Sequence, residues 1–218
     1  MTTRRLPLFP LPLVLFPRAS QPLHVFEPRY RRLLADVLEA TREFGMILRT
    51  SDVAERAIPP GTVGCVAFVE SAQALPDGRS NLLVSGRERF ILRRFLDDEA
   101  PYHVGEVEPF ADTEEPPEAS RDVATRVRDI FQRVGRAARA MQDDATPLPE
   151  LPDDPALLSF AVAQHVELEL GDKQQILASP SPAARLRRLE EILAPFVDSV
   201  ELRAMVHQRA RGNGHGAQ

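Results

Sequence analysis

The residues able to do chemistry are few in this chain, and they lie far apart. There is one lysine, Lys173, and one cysteine, Cys65; the five histidines are His24, His103, His165, His207 and His215. A zinc peptidase needs two histidines one helical turn apart with a glutamate between them, and no such spacing occurs. A phosphate-binding loop needs glycines that let backbone N–H groups approach, then a lysine and a hydroxyl residue. Gly61 and Gly64 in GTVG are followed by neither, so they read as turn glycines. Cys65 sits in the apolar run GCVAFV and reads as a buried structural thiol. A single cysteine also excludes an internal disulfide and a cysteine-rich metal site. His24, in PLHVF, reads as a core or turn histidine with one nitrogen satisfied. No catalytic residue, metal-ligand set or cofactor is assigned, and the chain is read as a non-enzyme.

Two charged clusters remain. Glu27, Arg29 and Arg32 fall at the predicted start of the first helix. Either they are a carboxylate at the helix N-terminus beside solvated arginines, or Arg29 lays its guanidinium against the core in a bidentate pair. Arg87, Arg89, Arg93 and Arg94 form the second cluster. It reads as a charged strand edge that discourages pairing with other chains, or alternatively as a patch for nucleic-acid phosphates. The overall charge disfavours the latter. Net charge is −5, and the first 110 residues balance 14 basic against 14 acidic groups, whereas a duplex binder would show a basic domain. Stacking partners for bases are also few, with no tryptophan and two tyrosines.

The elements that must position these groups follow from proline placement and apolar periodicity. Six prolines fall within the first 28 residues, between stretches such as LPLFPLPLVLFP that are too apolar for a solvated linker. Proline fixes φ and removes a donor, so this segment predicts short strands and tight bends pressed on a core. A helix then starts at Pro28, with Tyr30, Leu33, Leu34, Val37 and Leu38 on one face. Phe44–Leu48 is strand-like, and Thr62–Val69 is apolar on both faces, which a doubly buried strand requires. PDGR at 76–79 predicts the turn of a hairpin joining 71–75 to 81–84, and a second turn is expected at Ser85–Gly86. Tyr102–Val107 would be the last strand. Short strands, turns and one helix predict a small, partly closed barrel.

After the acidic, proline-bearing DTEEPPE at 112–118 the pattern becomes helical. Val123, Val127, Ile130, Phe131, Val134, Ala138 and Met141 form one stripe. Asp154–Pro155 starts a helix that Gly171 is expected to close, Asp172 to cap the next, and Ser181–Pro182 to cap another; Pro195 splits the last. The fold class is thus α+β, with a β-rich domain over 1–112, a helical bundle over 113–211 and a disordered tail over 212–218. No apolar run is long enough to span a membrane, and prolines at 7, 10, 12 and 17 interrupt any signal-peptide core, so a cytoplasmic location is expected.

Three stretches resemble the Lon protease substrate-binding (LON amino-terminal) domain family. They are PLHVFEPRYRRLL at Pro22–Leu34, the pair GTVGCVAFVE at Gly61–Glu70 and LLVSGRERFIL at Leu82–Leu92, and GDKQQILASPSPAARLRRLEEIL at Gly171–Leu193. The resemblance implies a PUA-like barrel in the first half. It covers the binding module and not the ATPase or the peptidase, whose activating lysine has no match beyond Lys173, so a free-standing form is expected. By this resemblance the chain would recognise unfolded or apolar protein segments, as an adaptor in protein quality control, and could hand them to a separate protease. Such a module needs exposed apolar surface. The candidates are Leu13, Leu15, Phe16, Pro17, Phe26 and Tyr30, with Arg29 beside them; Phe131, Met141 and Phe160 are others in the helical half. An RNA-binding barrel using the arginine cluster is the second reading, and a small-ligand sensor or minor hydrolase the third.

Overall fold

Proline spacing in the first segment shapes the first strand. In the computed structural model, which describes residues 2–50 and 54–214, β1 (Arg4–Leu11) carries Pro7 and Pro10 within the ladder. It runs parallel to β3 (Glu43–Leu48), with Leu8 opposite Gly45, and antiparallel to β6 (His103–Phe110), with Leu6 opposite Gly105. β2 (Ser20–Val25) and α1 (Pro28–Glu39) lie between β1 and β3, and α1 has its proline at the first helical position as predicted. β4 (Val63–Ala74) and β5 (Ser80–Leu96) form the predicted hairpin, with Gly78 in the left-handed region at φ 80°.

Hydrogen bonding runs β2-β5-β4-β3-β1-β6. β5 is long enough to pair twice. Its first half carries β2, and its second half takes β6, which closes the ring. Closure leaves β2 as the strand held on one side only. Leu6, Leu8, Ile47, Val66, Phe90 and Leu92 fill the barrel. The inner face of α1 buries Tyr30, Leu33, Leu34 and Val37, and the Tyr30 ring lies 4.0 Å from that of Phe9.

The turn expected at Ser85–Gly86 does not exist. β5 passes straight through it because Gly86 is where the 16–19 bend docks. The Gly86 N–H donates to the Ala19 carbonyl at 2.8 Å, and its own carbonyl accepts from the Arg18 N–H at 2.8 Å. A Cβ there would collide with the Phe16 carbonyl oxygen. Glycine marks a close backbone approach here, not a reversal of the chain.

The helices comprise α2 (Glu118–Gln142), α3 (Pro155–His165), α4 (Leu170–Ala178), α5 (Pro182–Leu193) and α6 (Val197–Gly214). Asp154 accepts from the Ala156 N–H at the start of α3, and the Ser181 hydroxyl accepts from the Ala184 N–H at the start of α5. α3 stops at His165, earlier than expected. Gly171 and Asp172 lie in the first turn of α4, where a glycine costs little because the N–H groups have no helical partner. A 3₁₀ turn containing Pro195 separates α5 from α6. Of the expected tail, residues 212–214 belong to α6, and the rest lies outside the described residues.

The chain forms two compact units. The first holds residues 1–113 with 163–180, and the second 114–162 with 181–218. The segment 163–180, which the sequence groups with the helical half, thus clusters with the barrel. Gln174 of α4 donates to the Val63 carbonyl at 2.9 Å, and Arg89 of β5 donates to the carbonyls of Leu177 and Ser179 at 2.7 and 2.8 Å. In the second unit α2 packs against α5 and α6. Val123, Val127, Ile130 and Phe131 are buried there, while Val134, Ala138 and Met141 are half-buried.

Candidate functional site

β2 alternates strictly. Leu23 and Val25 point inward and are buried, so Pro22 and His24 point outward, and Phe26 follows them just past the strand. On β5 the same alternation buries Leu82 and Val84 and turns Leu83 out. Register brings the two sets together: Pro22 is opposite Leu83, and His24 is opposite Asn81. Phe26 is 59% exposed and Leu83 41%. His24 Nδ1 lies 2.8 Å from Asn81 Oδ1, and its ring stacks on Phe26 with centroids 6.1 Å apart. His24 therefore has the satisfied nitrogen expected of it, but on the surface and not in the core. The result is a small apolar outer face held flat by sheet hydrogen bonds. Its polar members are tied to each other and do not compete for a partner.

Other candidates fall elsewhere. Leu15, Phe16 and Tyr30 are buried and cannot meet a partner: Leu15 and Phe16 lie in the bend that docks on Gly86, and Tyr30 lies on the inner face of α1 against Phe9. Leu13 and Pro17 are half-buried at the same bend. Phe131 and Phe160 are core residues of the second unit.

Arg29 takes the bidentate role. Its Nη1 and Nη2 donate to Glu55 at 2.6 and 2.9 Å, and its Nε and Nη2 donate to Glu27 at 3.0 and 2.8 Å; the guanidinium lies 4.5 Å over the Tyr30 ring. Glu55 is a hub. It also accepts from the Tyr30 hydroxyl at 3.2 Å, lies 2.9 Å from His103 Nε2, and is 3.5 Å from Arg49 Nη1. Burial opposes its ionisation, yet the hydrogen bonds and charge of Arg29, helped by His103 and Tyr30, hold its carboxyl below the usual carboxylate range. Burial and the Glu55 charge push the Tyr30 hydroxyl up. This network pins the loop between β3 and β4 to α1 and β6, and it presents no open acid or base. Nothing in the local sequence around Glu55 announces it.

The arginine cluster is neutralised. Arg87 faces Glu70 at 3.5 Å, Arg93 pairs with Glu108 at 2.5 Å, and Arg94 with Glu106 at 2.7 Å. Arg89 is 4% exposed, pairs with Asp112 and lies 4.6 Å over the Phe110 ring, so it is interior and structural. Arg185 is a second buried arginine, 1% exposed, donating to the Ser159 hydroxyl at 2.8 Å beneath the Phe160 ring. Sequence reasoning passed over it, although its spacing from Leu189 and Ile192 puts it on the inward face of α5. Burial pushes the Cys65 thiol up to about 12, which keeps it protonated and inert. Among the described residues no group of three His, Cys, Asp or Glu side chains could hold a metal ion, and no helix is long and apolar enough to cross a membrane.

Taken together, the molecule is an α+β protein that leaves Pro22, Phe26 and Leu83 uncovered on β2 and β5. Residues 5–195 match the family model of the ATP-dependent protease La (LON) substrate-binding domain, and the chain belongs to that family. It is 29% identical over 204 residues to Lon protease 2 of Herpetosiphon aurantiacus, covering 92% of this chain and 25% of that protein. With Lon protease 1 of Thermus thermophilus the identity is 28% over 213 residues, covering 94% and 26%. The chain thus spans about a quarter of the length of the curated relatives it matches. Among solved structures it resembles the Lon N-terminal domain protein from Xanthomonas campestris, with 29% identity and a TM-score of 0.61, covering 88% of this chain and 98% of that one. The N-terminal domain of the Mycobacterium avium complex Lon protease shares the fold, with a TM-score of 0.67 at 16% identity and the same two coverages.

Proposed function

We propose that this chain is a non-catalytic binding module that holds unfolded or apolar protein segments on the outer face of β2 and β5. The observation that carries the proposal is the juxtaposition of Pro22, Phe26 and Leu83 as uncovered apolar side chains on one sheet face, in a chain of the substrate-binding family. An extended client lying across this face would bury its alternate side chains against Phe26 and Leu83. Burial of each such side chain contributes about 1 kcal/mol, so affinity is modest and sequence-tolerant. Such a module acts as an adaptor in protein quality control, in a cytoplasmic setting, and passes clients to a separate protease.

The test is binding of the intact chain to arrayed apolar peptides and to an unfolding client in an aggregation assay. The double variant Phe26→Ser, Leu83→Ser should retain the thermal midpoint and lose about tenfold in peptide affinity. Equal binding by parent and variant, or no binding above background by the parent, would sink the proposal.

A further inference from the structure

The last helix carries a stripe that the fold leaves open. α6 buries Val197 and Ala204, and α6 packs against α2. Away from that buried line the helix exposes three apolar side chains, Leu202, Met205 and Val206. At about 100° per residue, Asp198, Leu202, Met205 and Arg209 fall within about 60° of one another, on a stripe centred about 120° from the buried line. Along the helix this stripe reads acid, apolar, apolar, base. Positions 198 and 209 share their midpoint with positions 202 and 205, between Arg203 and Ala204.

That symmetry singles out one occupant. A two-fold axis through the shared midpoint sets Asp198 of one copy opposite Arg209 of the other, and Leu202 opposite Met205, twice over. We propose that α6 packs antiparallel against α6 of a second copy of this chain. A parallel arrangement would set acid against acid and base against base. An isologous contact must be self-complementary, and this stripe is so in both its charge and its apolar positions. Asp198 is 99% exposed; its nearest cation, Arg133 Nη2 at 3.6 Å, is already engaged with Glu201 at 2.8 Å. Asp198 is therefore available to the second copy. About three apolar side chains per copy make a contact smaller than the roughly 1,200 Å² of stable interfaces, so association is weak and reversible, with a dissociation constant on the order of 100 µM. The stripe lies in the second unit, so this inference stands apart from the client-binding proposal.

Sedimentation of the intact chain over a concentration series from about 10 µM to about 1 mM reads the proposal directly. The average mass should climb from 24.3 kDa toward twice that value. Leu202→Glu should abolish the rise. Asp198→Arg and Arg209→Asp should each weaken association about tenfold, because each turns two attractions into repulsions. The double variant should recover the parent's behaviour, since the pairs are restored with exchanged signs. All these positions are exposed, so far-UV circular dichroism should not change. A chain that stays monomeric throughout overturns the proposal. So does a dimer indifferent to Leu202→Glu, or a double variant no better than its single parents.

Discussion

Glu55 shows how one side chain can hold a fold together without doing chemistry. Its carboxylate receives Arg29, Tyr30 and His103 and lies near Arg49, so groups from α1, β6 and the residue that follows β3 converge on a single anion. Replacing it with glutamine keeps the volume but leaves the Arg29 and Arg49 guanidinium groups without this counter-charge. Breaking a buried pair costs about 3–5 kcal/mol. Here about 2 kcal/mol is expected, because the Arg29 side chain is a third exposed and can regain water. The pH dependence has a definite sign. The folded carboxyl titrates below its unfolded value, so its contribution is complete above about pH 5 and is lost as pH falls through the folded value. Denaturant titrations should show Glu55→Gln well below the parent at pH 7 and the two drawing together as pH falls below the ordinary carboxylate range. A gap that stays constant with pH would mean that the loss comes from packing and not from charge.

At the scale of the element, β5 is the organising strand, since it alone pairs with β2, β4 and β6. Its continuity depends on Gly86, against which the Phe16 carbonyl packs. Gly86→Ala should cost about 3 kcal/mol by overpacking, read as a lowered denaturant midpoint with an unchanged slope. An unaltered midpoint would show that the 16–19 bend is free to move off. The same glycine explains where the sequence misleads. A Gly flanked by Ser and Arg carries a turn signal, and only the distant Phe16–Ala19 segment, folded onto it, makes it a strand residue. Elements governed by local rules were legible: proline at the start of α1, PDGR between β4 and β5, Ser181 capping α5, Pro195 splitting the last helices. The outer face was half legible. Phe26 was a candidate, and alternation through Leu82–Val84 already required Leu83 to point out. Its pairing with Pro22 needed the register. Leu15 and Phe16 look like binding residues for the reason they are core: apolar side chains in a proline-rich bend read alike whether they face in or out, and an amphipathic helix start hides Tyr30 in the same way.

For the whole molecule, charge decides between classes of partner. Net charge is −5, and each of the four clustered arginines sits against a carboxylate or inside the fold. A phosphate backbone would have to displace Glu70, Glu106 or Glu108 before gaining a cation, so the counterion release that drives nucleic-acid binding has no source there. An apolar client meets no such obstacle at Phe26 and Leu83, since burying nonpolar area does not weaken as salt rises. The two modes therefore separate cleanly in one measurement. Peptide affinity should change by less than about twofold between roughly 0.1 and 0.5 M sodium chloride. Binding through four phosphate contacts would fall about a hundredfold over that range. Retention on immobilised RNA at low salt should be absent. A steep loss of peptide binding with salt would move the contact off the β2–β5 face and onto charged side chains, because Pro22, Phe26 and Leu83 have no charge to be screened.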